Sequence, residues 1–209
     1  MWQPFCIDWS VLHTLNDFLY RHDGVEDPLL FYVNVSEALF VATLALIFLA
    51  ASGARRIAWR RAAVAAVLSA GAALAIGKAI SELVDRARPF VVDSGGVHIF
   101  SGHAADPGFP SDHATASFAI ATAIFLRHRG WGAVALVAAA VLSVGRVALG
   151  VHFPSDVLAG GALGAAVALA LWSPPLRGRV DVLSDRLGGY WDLALGWGAG
   201  LVGIGWRPR

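Results

Sequence analysis

Apolar residues in this chain fall into five long runs broken by short polar or basic stretches, with an amphipathic segment ahead of the first. Residues 29–50 form the first run long enough to cross a bilayer, since about 20 apolar residues span the hydrocarbon. Ala51-Ser52-Gly53-Ala54 ends it, and Arg55, Arg56, Arg60 and Arg61 follow. The second run, 62–84, carries Lys78 and Glu82 near its far end. A polar loop with glycine and proline occupies 85–110. The third run extends from about residue 111 to 126 and closes on Arg127-His128-Arg129. The fourth covers 131–149, a tight turn takes 150–153, and the fifth covers 154–172. Before them, Trp9, Leu12, Leu15, Phe18 and Leu19 recur at three- to four-residue spacing among Asp8, Asn16 and Asp17. That spacing predicts a helix lying at the membrane interface, with Trp2 and Phe5 ahead of it.

These runs predict an all-α membrane helix bundle of five transmembrane helices with an interfacial N-terminal helix. The count becomes six if the tail also crosses. After Pro174-Pro175 the chain turns polar, and 187–206 then mixes glycines with Trp191, Asp192, Trp197 and Trp206. Asp192 and the glycines favour an interfacial, Trp-anchored helix over a sixth span. The expected organisation is an interfacial segment over 1–28, a transmembrane domain over 29–173 and a C-terminal membrane segment over 174–209. Spans two to five are rich in alanine and glycine, as in Ala159-Gly160-Gly161-Ala162-Leu163-Gly164-Ala165. Small residues let helices approach closely in lipid, where packing drives association.

Composition agrees with a lipid setting. The chain is 57% hydrophobic and 15% charged, against about 25% charged in soluble domains, and its mean hydropathy is +0.62. A formal net charge of +1 gives no footprint for nucleic acid. Cys6 is the sole cysteine, which rules out an internal disulfide and cysteine-based metal sites. Met1-Trp2-Gln3-Pro4-Phe5 has no basic lead, so no cleavable signal peptide is expected. The placement of arginine says more. Arg55, Arg56, Arg60 and Arg61, then Arg127 and Arg129, then Arg177, Arg179 and Arg186 mark three loops that the positive-inside rule puts in the cytoplasm. The 85–110 loop and the 150–153 turn then face outward from the cell (plasma or inner) membrane.

Ionisable residues at a membrane edge are costly and mark function, and here they gather on that outer side. Arg88-Pro89 follows the second span, Pro110-Ser111-Asp112-His113 opens the third, Arg146 ends the fourth, and His152 and Asp156 bracket the start of the fifth. A proline-led helix start attracts anions through free amides and its dipole. Arg88 and Arg146 can each grip phosphate bidentately. Ser111 and the nearby amides add donors. Asp156 is spaced to reach back to His152, fixing its tautomer and freeing the other nitrogen to attack. His113 across the phosphate is the natural acid.

Arg88-Pro89, then Pro110-Ser111-Asp112-His113, then Gly145-Arg146-Val147-Ala148-Leu149-Gly150-Val151-His152-Phe153-Pro154-Ser155-Asp156 resembles the three-part signature of the type-2 phosphatidic-acid phosphatase superfamily. Within it, Arg-Pro-Phe at 88–90, Phe-Pro-Ser-Asp-His at 109–113 and Leu-Gly-Val-His-Phe-Pro-Ser-Asp at 149–156 are similar to the bacitracin-resistance type of undecaprenyl-diphosphatase. The resemblance implies a metal-independent hydrolase, with no cofactor, acting on a lipid diphosphate in the bilayer. It implies a phosphohistidine on His152, His113 as acid, Asp156 as orienter, and phosphate binding by Arg88, Ser111 and Arg146. Three positions depart from the pattern. Ser81 stands where the family has lysine, Asp112 replaces a glycine, and Gly145 replaces a serine. Asp112 recurs in the undecaprenyl-diphosphatase type and is expected to offer its amide, its carboxylate turned away. Lys78, one helical turn before Ser81, is either a substitute phosphate ligand or a partner of Glu82.

Other residues carry two readings as well. Glu37 within the first span serves a lipid headgroup or an interhelical hydrogen bond, the latter favoured. His98, His103 and Asp106 either order the outer loop, the favoured reading, or meet a distal phosphate. A phosphatase for phosphatidate, phosphatidylglycerol phosphate or another phospholipid is the nearest rival function. A metal-dependent hydrolase using His98, His103, Asp106, His113, His152 and Asp156, and a lipid headgroup carrier, are rivals of other classes.

Overall fold

The computed structural model describes residues 5–100 and 102–201, with 196–201 as backbone only. Trp2, Trp206 and the side chain of Trp197, named above as interfacial anchors, lie outside the described residues. Every regular element among those described is helical.

Helix α1 (Cys6–Tyr20) buries Asp8, Leu12, Asn16 and Leu19 along one stripe. Leu12 packs with Ala114, Val147, Phe153 and Val157. The Asn16 amide donates to the carbonyls of Ala148 and His98 and accepts from the His98 amide. This helix therefore caps one end of the bundle, fastened by polar contacts as well as apolar ones. Helix α2 (Asp23–Leu49) and helix α3 (Arg56–Val84) follow, joined by a 3-10 turn over Gly53–Arg55. On α3, Ala62, Ala66, Ser69, Ala73 and Gly77 form a narrow buried stripe. Arg88 and the one-turn helix α4 (Pro89–Val92) lie just past its end.

Helix α5 (Asp112–Arg127) is the centre, packed against α3 on one side and on others by helix α6 (Arg129–Ala148) and helix α7 (Pro154–Leu171). The contact between α5 and α7 is made at backbone distance. A side chain at Gly164 would run into the Thr115 carbonyl and the Ala119 amide, so α7 can lie this close only with no Cβ there. Four described stretches are long and apolar enough to cross a membrane: Asp23–Leu49, Gly53–Val92 (which contains α3), Arg129–Ala148 and Pro154–Leu171. Helix α5, expected as a span, has 16 residues, or about 24 Å at 1.5 Å per residue. Its buried residues run from Ala114 to Ile124, with Asp112 at its start exposed.

The tail also differs from expectation. One helix, α8, runs over Pro174–Leu201 rather than beginning near residue 187, because the two prolines suit a first turn, where their missing N–H groups are not needed. Its carboxylates meet the arginine-rich helix ends: Asp181 with Arg127 at 2.7 Å, Asp185 with Arg61 at 2.6 Å and Asp192 with Arg60 at 2.9 Å. Val180 is buried with Ala65, Ile124 and Ala168. Asp192 is thus one half of an ion pair across the basic end of the bundle, opposite α1.

Replacing Gly164 by valine should force α5 and α7 apart and lower stability by about 1–3 kcal/mol. Gly178→Ala, where nothing lies within 4 Å of the added carbon, should leave the melting temperature in detergent unchanged or slightly raised. Equal melting temperatures for Gly164→Val and the parent chain would refute the close-contact account.

Candidate active site

At the end of the bundle capped by α1, four helix ends meet a loop. Ser111 precedes α5 in extended conformation (φ −70°, ψ 117°), and its carbonyl starts the helix by accepting from the Thr115 amide. The Ser111 amide donates to the Asp156 carbonyl at 3.1 Å. It joins α5 to α7 and is not available to an anion, contrary to the helix-start expectation. Its hydroxyl, fully buried, has no hydrogen-bond partner among the described residues. The Nε of buried Arg146 is likewise without a partner. Buried donors without a protein partner are accounted for by water, an ion or a ligand.

His152 lies in the turn between α6 and α7, buried to 2% exposure. Its Nδ1 is 2.9 Å from the Gly108 carbonyl, and its Nε2 is 3.1 Å from an Arg88 guanidinium nitrogen. A carbonyl only accepts and a guanidinium only donates. Nδ1 therefore carries the proton and Nε2 presents a lone pair beside Arg88. Asp156 was expected to hold the ring directly, yet its nearer oxygen is 3.7 Å from Nδ1. That oxygen accepts instead from the Phe153 amide at 2.8 Å. The ring is oriented by the 108 carbonyl, with the carboxylate one step behind it.

The guanidinium groups of Arg88 and Arg146 lean on the loop segment 102–108. Arg88 Nε donates to the backbone and side chain of Asp106, both at 3.1 Å, and a terminal nitrogen of Arg146 lies 2.8 Å from His103 Nε2. His103 and Asp106 thus contact the cations directly, beyond the loop-ordering role favoured from sequence. Asp106 is held below the ordinary carboxylate range: burial raises it, but the Arg88 hydrogen bond and charge outweigh that. His103 is lowered by burial and then by Arg88. His113, at the first turn of α5, is 3.0 Å from Glu37 on α2. Asp112 is exposed. Lys78 stands outside the cluster, 69% exposed and 3.7 Å from Glu82. Of its two readings, the Glu82 contact is the one present. Among the described residues no three His, Cys, Asp or Glu side chains gather as a metal site.

The residue that sequence reasoning missed is Arg86. It is 2% exposed, with one nitrogen 2.6 Å from Asp156 and the other 2.9 Å from Asp8. Ser155 accepts from Arg86 and donates to Asp8, whose second oxygen accepts the Ser155 amide. The guanidinium also lies over the Phe153 ring at 4.4 Å. Burial alone would raise the Asp8 carboxyl, but the hydrogen bonds from Ser155 and Arg86 bring it below its usual value. A signal was there to read: Asp8 shares the i, i+4, i+8 stripe of Leu12 and Asn16, which put a charge on the buried face.

Residues 62–177, containing all three motif blocks, match the PAP2 superfamily model. The chain belongs to the PAP2 superfamily. It is 37% identical over 119 residues to YbjG of Escherichia coli (strain K12), an alignment covering 55% of this chain and 59% of that protein. It is 34% identical over 140 residues to undecaprenyl-diphosphatase BcrC of Bacillus subtilis (strain 168), covering 67% and 70%. The chain thus spans about three-fifths of YbjG and somewhat more of BcrC. The crystal structure of Aquifex aeolicus LpxE superposes with a TM-score of 0.64 at 20% identity, over 80% of this chain and 95% of that one. That likeness is one of fold.

Two outcomes follow for this PAP2 site. Arg86→Ala leaves two buried carboxylates uncompensated and should cost about 3–5 kcal/mol, read as a fall in melting temperature well beyond that of Lys78→Ala. Separately, His152 is held well below its ordinary pKa, first by burial and then by Arg146 and Arg88. The folded chain therefore binds that proton less readily than the unfolded one, and stability should drop as pH falls through about 6.5. His103 acts in the same direction. The melting temperature should decline between pH 7 and pH 5, less steeply in His152→Gln. An identical decline in that variant would contradict the assignment.

Proposed function

We propose that this PAP2 protein is a membrane phosphatase that removes the terminal phosphate of a polyprenyl diphosphate such as undecaprenyl diphosphate. The observation that carries this reading is the placement of His152: Nδ1 is engaged by a carbonyl, so Nε2 is the nucleophile, lying beside Arg88. The unpartnered Ser111 hydroxyl and Arg146 Nε supply the donors that a phosphate's equatorial oxygens require as charge spreads in the transition state.

In the first step Nε2 of His152 bonds to the terminal phosphorus as the bridging P–O bond breaks. His113 gives its proton to the departing lipid phosphate. In the second step water attacks the phosphohistidine, its proton passes to His113, the P–N bond breaks, and inorganic phosphate leaves. Positive charge that develops on the His152 ring is met by the Gly108 carbonyl and, at 3.7 Å, by Asp156. Two arginines supply the cationic clamp. The Asp112 carboxylate, exposed at the helix start, stays off the dianion.

The name of the Bacillus subtilis relative supports the diphosphate as substrate. Arg60, Arg61 and Arg127 sit at the far end of the bundle with α8 and the site at the other, and the positive-inside rule supports a site facing outward from the plasma membrane. The lipid tail stays in the bilayer while the headgroup meets the 85–110 loop.

The test is phosphate release by purified protein from undecaprenyl diphosphate and from phosphatidate, with and without chelator. Turnover of the diphosphate in chelator is expected, together with a loss on the order of 10³-fold or more in His152→Ala. Arg146→Lys should lose about 10–100-fold through the missing second hydrogen bond. Faster turnover of phosphatidate would move the reading to a phospholipid phosphatase, and near-normal activity in His152→Ala would end the mechanism.

A further inference from the structure

Glu37 belongs to no motif block, yet it touches one of the site's histidines. It lies midway along α2, in a run that is otherwise apolar from Ala38 to Leu49 apart from Thr43. An ionised carboxylate at that depth is costly unless paired. Its partner is His113: Oε1 lies 3.0 Å from Nε2. At 76% exposure Glu37 does no packing, so its place is not explained by the core. Its neighbours Val33 and Ser36 are the buried ones.

Gly145 eases the approach of α2 to α6. A Cβ at that position would come within 2.8 Å of the Val33 side chain and 3.1 Å of the Leu29 side chain, so those side chains would have to shift. Gly145 is the position at which the chain departs from the serine of the family pattern. On α2 itself, Glu37 lies over the start of α5.

The charged and titratable groups facing His113 come from every side. Arg146 comes from α6, Arg88 from beyond α3, and His103 from the loop, with His152 from the turn before α7. Asp112 is its chain neighbour, with Asp106 and Lys78 further off. Among the described residues Glu37 is the one carboxylate within ion-pair distance of the ring. With two arginines and two histidines on the site side, Glu37 supplies the negative charge on the α2 side.

We propose that Glu37 is a positioning residue for His113, holding Nε2 so that Nδ1 serves the leaving oxygen and retaining the proton that Nδ1 delivers. This rests on the phosphatase reading above. The atoms balance as there. The Nδ1 proton goes to the leaving oxygen as P–O breaks and P–N forms, and the proton of the attacking water returns to Nδ1 as P–N breaks.

Substrates differ in how much they need this proton. The lipid phosphate expelled from a diphosphate is a weak base, with a second pKa near about 6. The alkoxide expelled from a lipid monoester such as phosphatidate is far more basic. Acid assistance contributes about 10²–10⁴-fold where it is needed, and loss of Glu37 should forfeit part of it selectively.

The experiment compares wild type, Glu37→Gln and Glu37→Met on undecaprenyl diphosphate and on phosphatidate. Glutamine keeps the side chain's length and hydrogen-bonding ability but not its charge. Methionine suits the lipid setting and keeps the variant folded if glutamine does not. We expect kcat to fall about tenfold or more on phosphatidate and by no more than two- to three-fold on the diphosphate, with KM unchanged on both. Equal losses on the two lipids, a change confined to KM, or wild-type kcat in both variants overturns the proposal. In that last case a wild type whose activity still needs His152 leaves the phosphatase reading intact, whereas a wild type that hydrolyses neither lipid overturns both.

Discussion

A guanidinium taken out of water must find carboxylates, and that requirement organises the end of this molecule capped by α1. Arg86 lies between Asp156 at 2.6 Å and Asp8 at 2.9 Å, all three nearly inaccessible. Separating such charges leaves one of them desolvated and alone, at a penalty larger than most single contacts. The end of α3, the start of α7 and the first turn of α1 are therefore held together. Because Asp156 also caps its own helix through the Phe153 amide, the turn bearing His152 is placed by the same ion cluster.

Around that anchor two guanidinium groups are each met by a side chain from the neighbouring loop. Asp106 accepts from Arg88, and His103 sits against Arg146. Two guanidinium groups in a poorly solvated cleft repel one another unless something negative or electron-rich lies between them. The loop segment 102–108 supplies such groups, while the Ser111 hydroxyl and Arg146 Nε have no hydrogen-bond partner among the described residues. Direct orientation of His152 by a backbone carbonyl leaves Asp156 free to serve Arg86. One carboxylate thus stabilises the fold and lies near the histidine.

The scaffold owes its shape to what side chains leave out. Gly164 lets α7 rest on the backbone of α5, and Gly145 lets α2 rest on α6. In a bilayer, where lipid is as apolar as leucine, such contacts supply dispersion energy that side-chain burial does not. The central helix is buried over much of its length, from Ala114 to Ile124. The basic end is closed by ion pairs of α8 with Arg60, Arg61 and Arg127.

The hydrophobic runs and the spaced motif blocks determined an all-helical membrane bundle. They also foretold that Arg88, Ser111, Arg146 and His152 share one end of it, since local periodicity and span length are one-dimensional properties. The shortness of α5, the start of α8 at Pro174 and the pairing of Asp192 were not legible, because each depends on what a neighbouring helix covers. Nor could spacing show that Gly108 rather than Asp156 meets the His152 ring, that Arg86 and Asp8 are joined across 78 residues, or that Glu37 reaches His113. Those contacts link residues far apart in the chain, and only the folded arrangement of helix ends, set by small-residue packing and charge burial, selects which polar groups become neighbours.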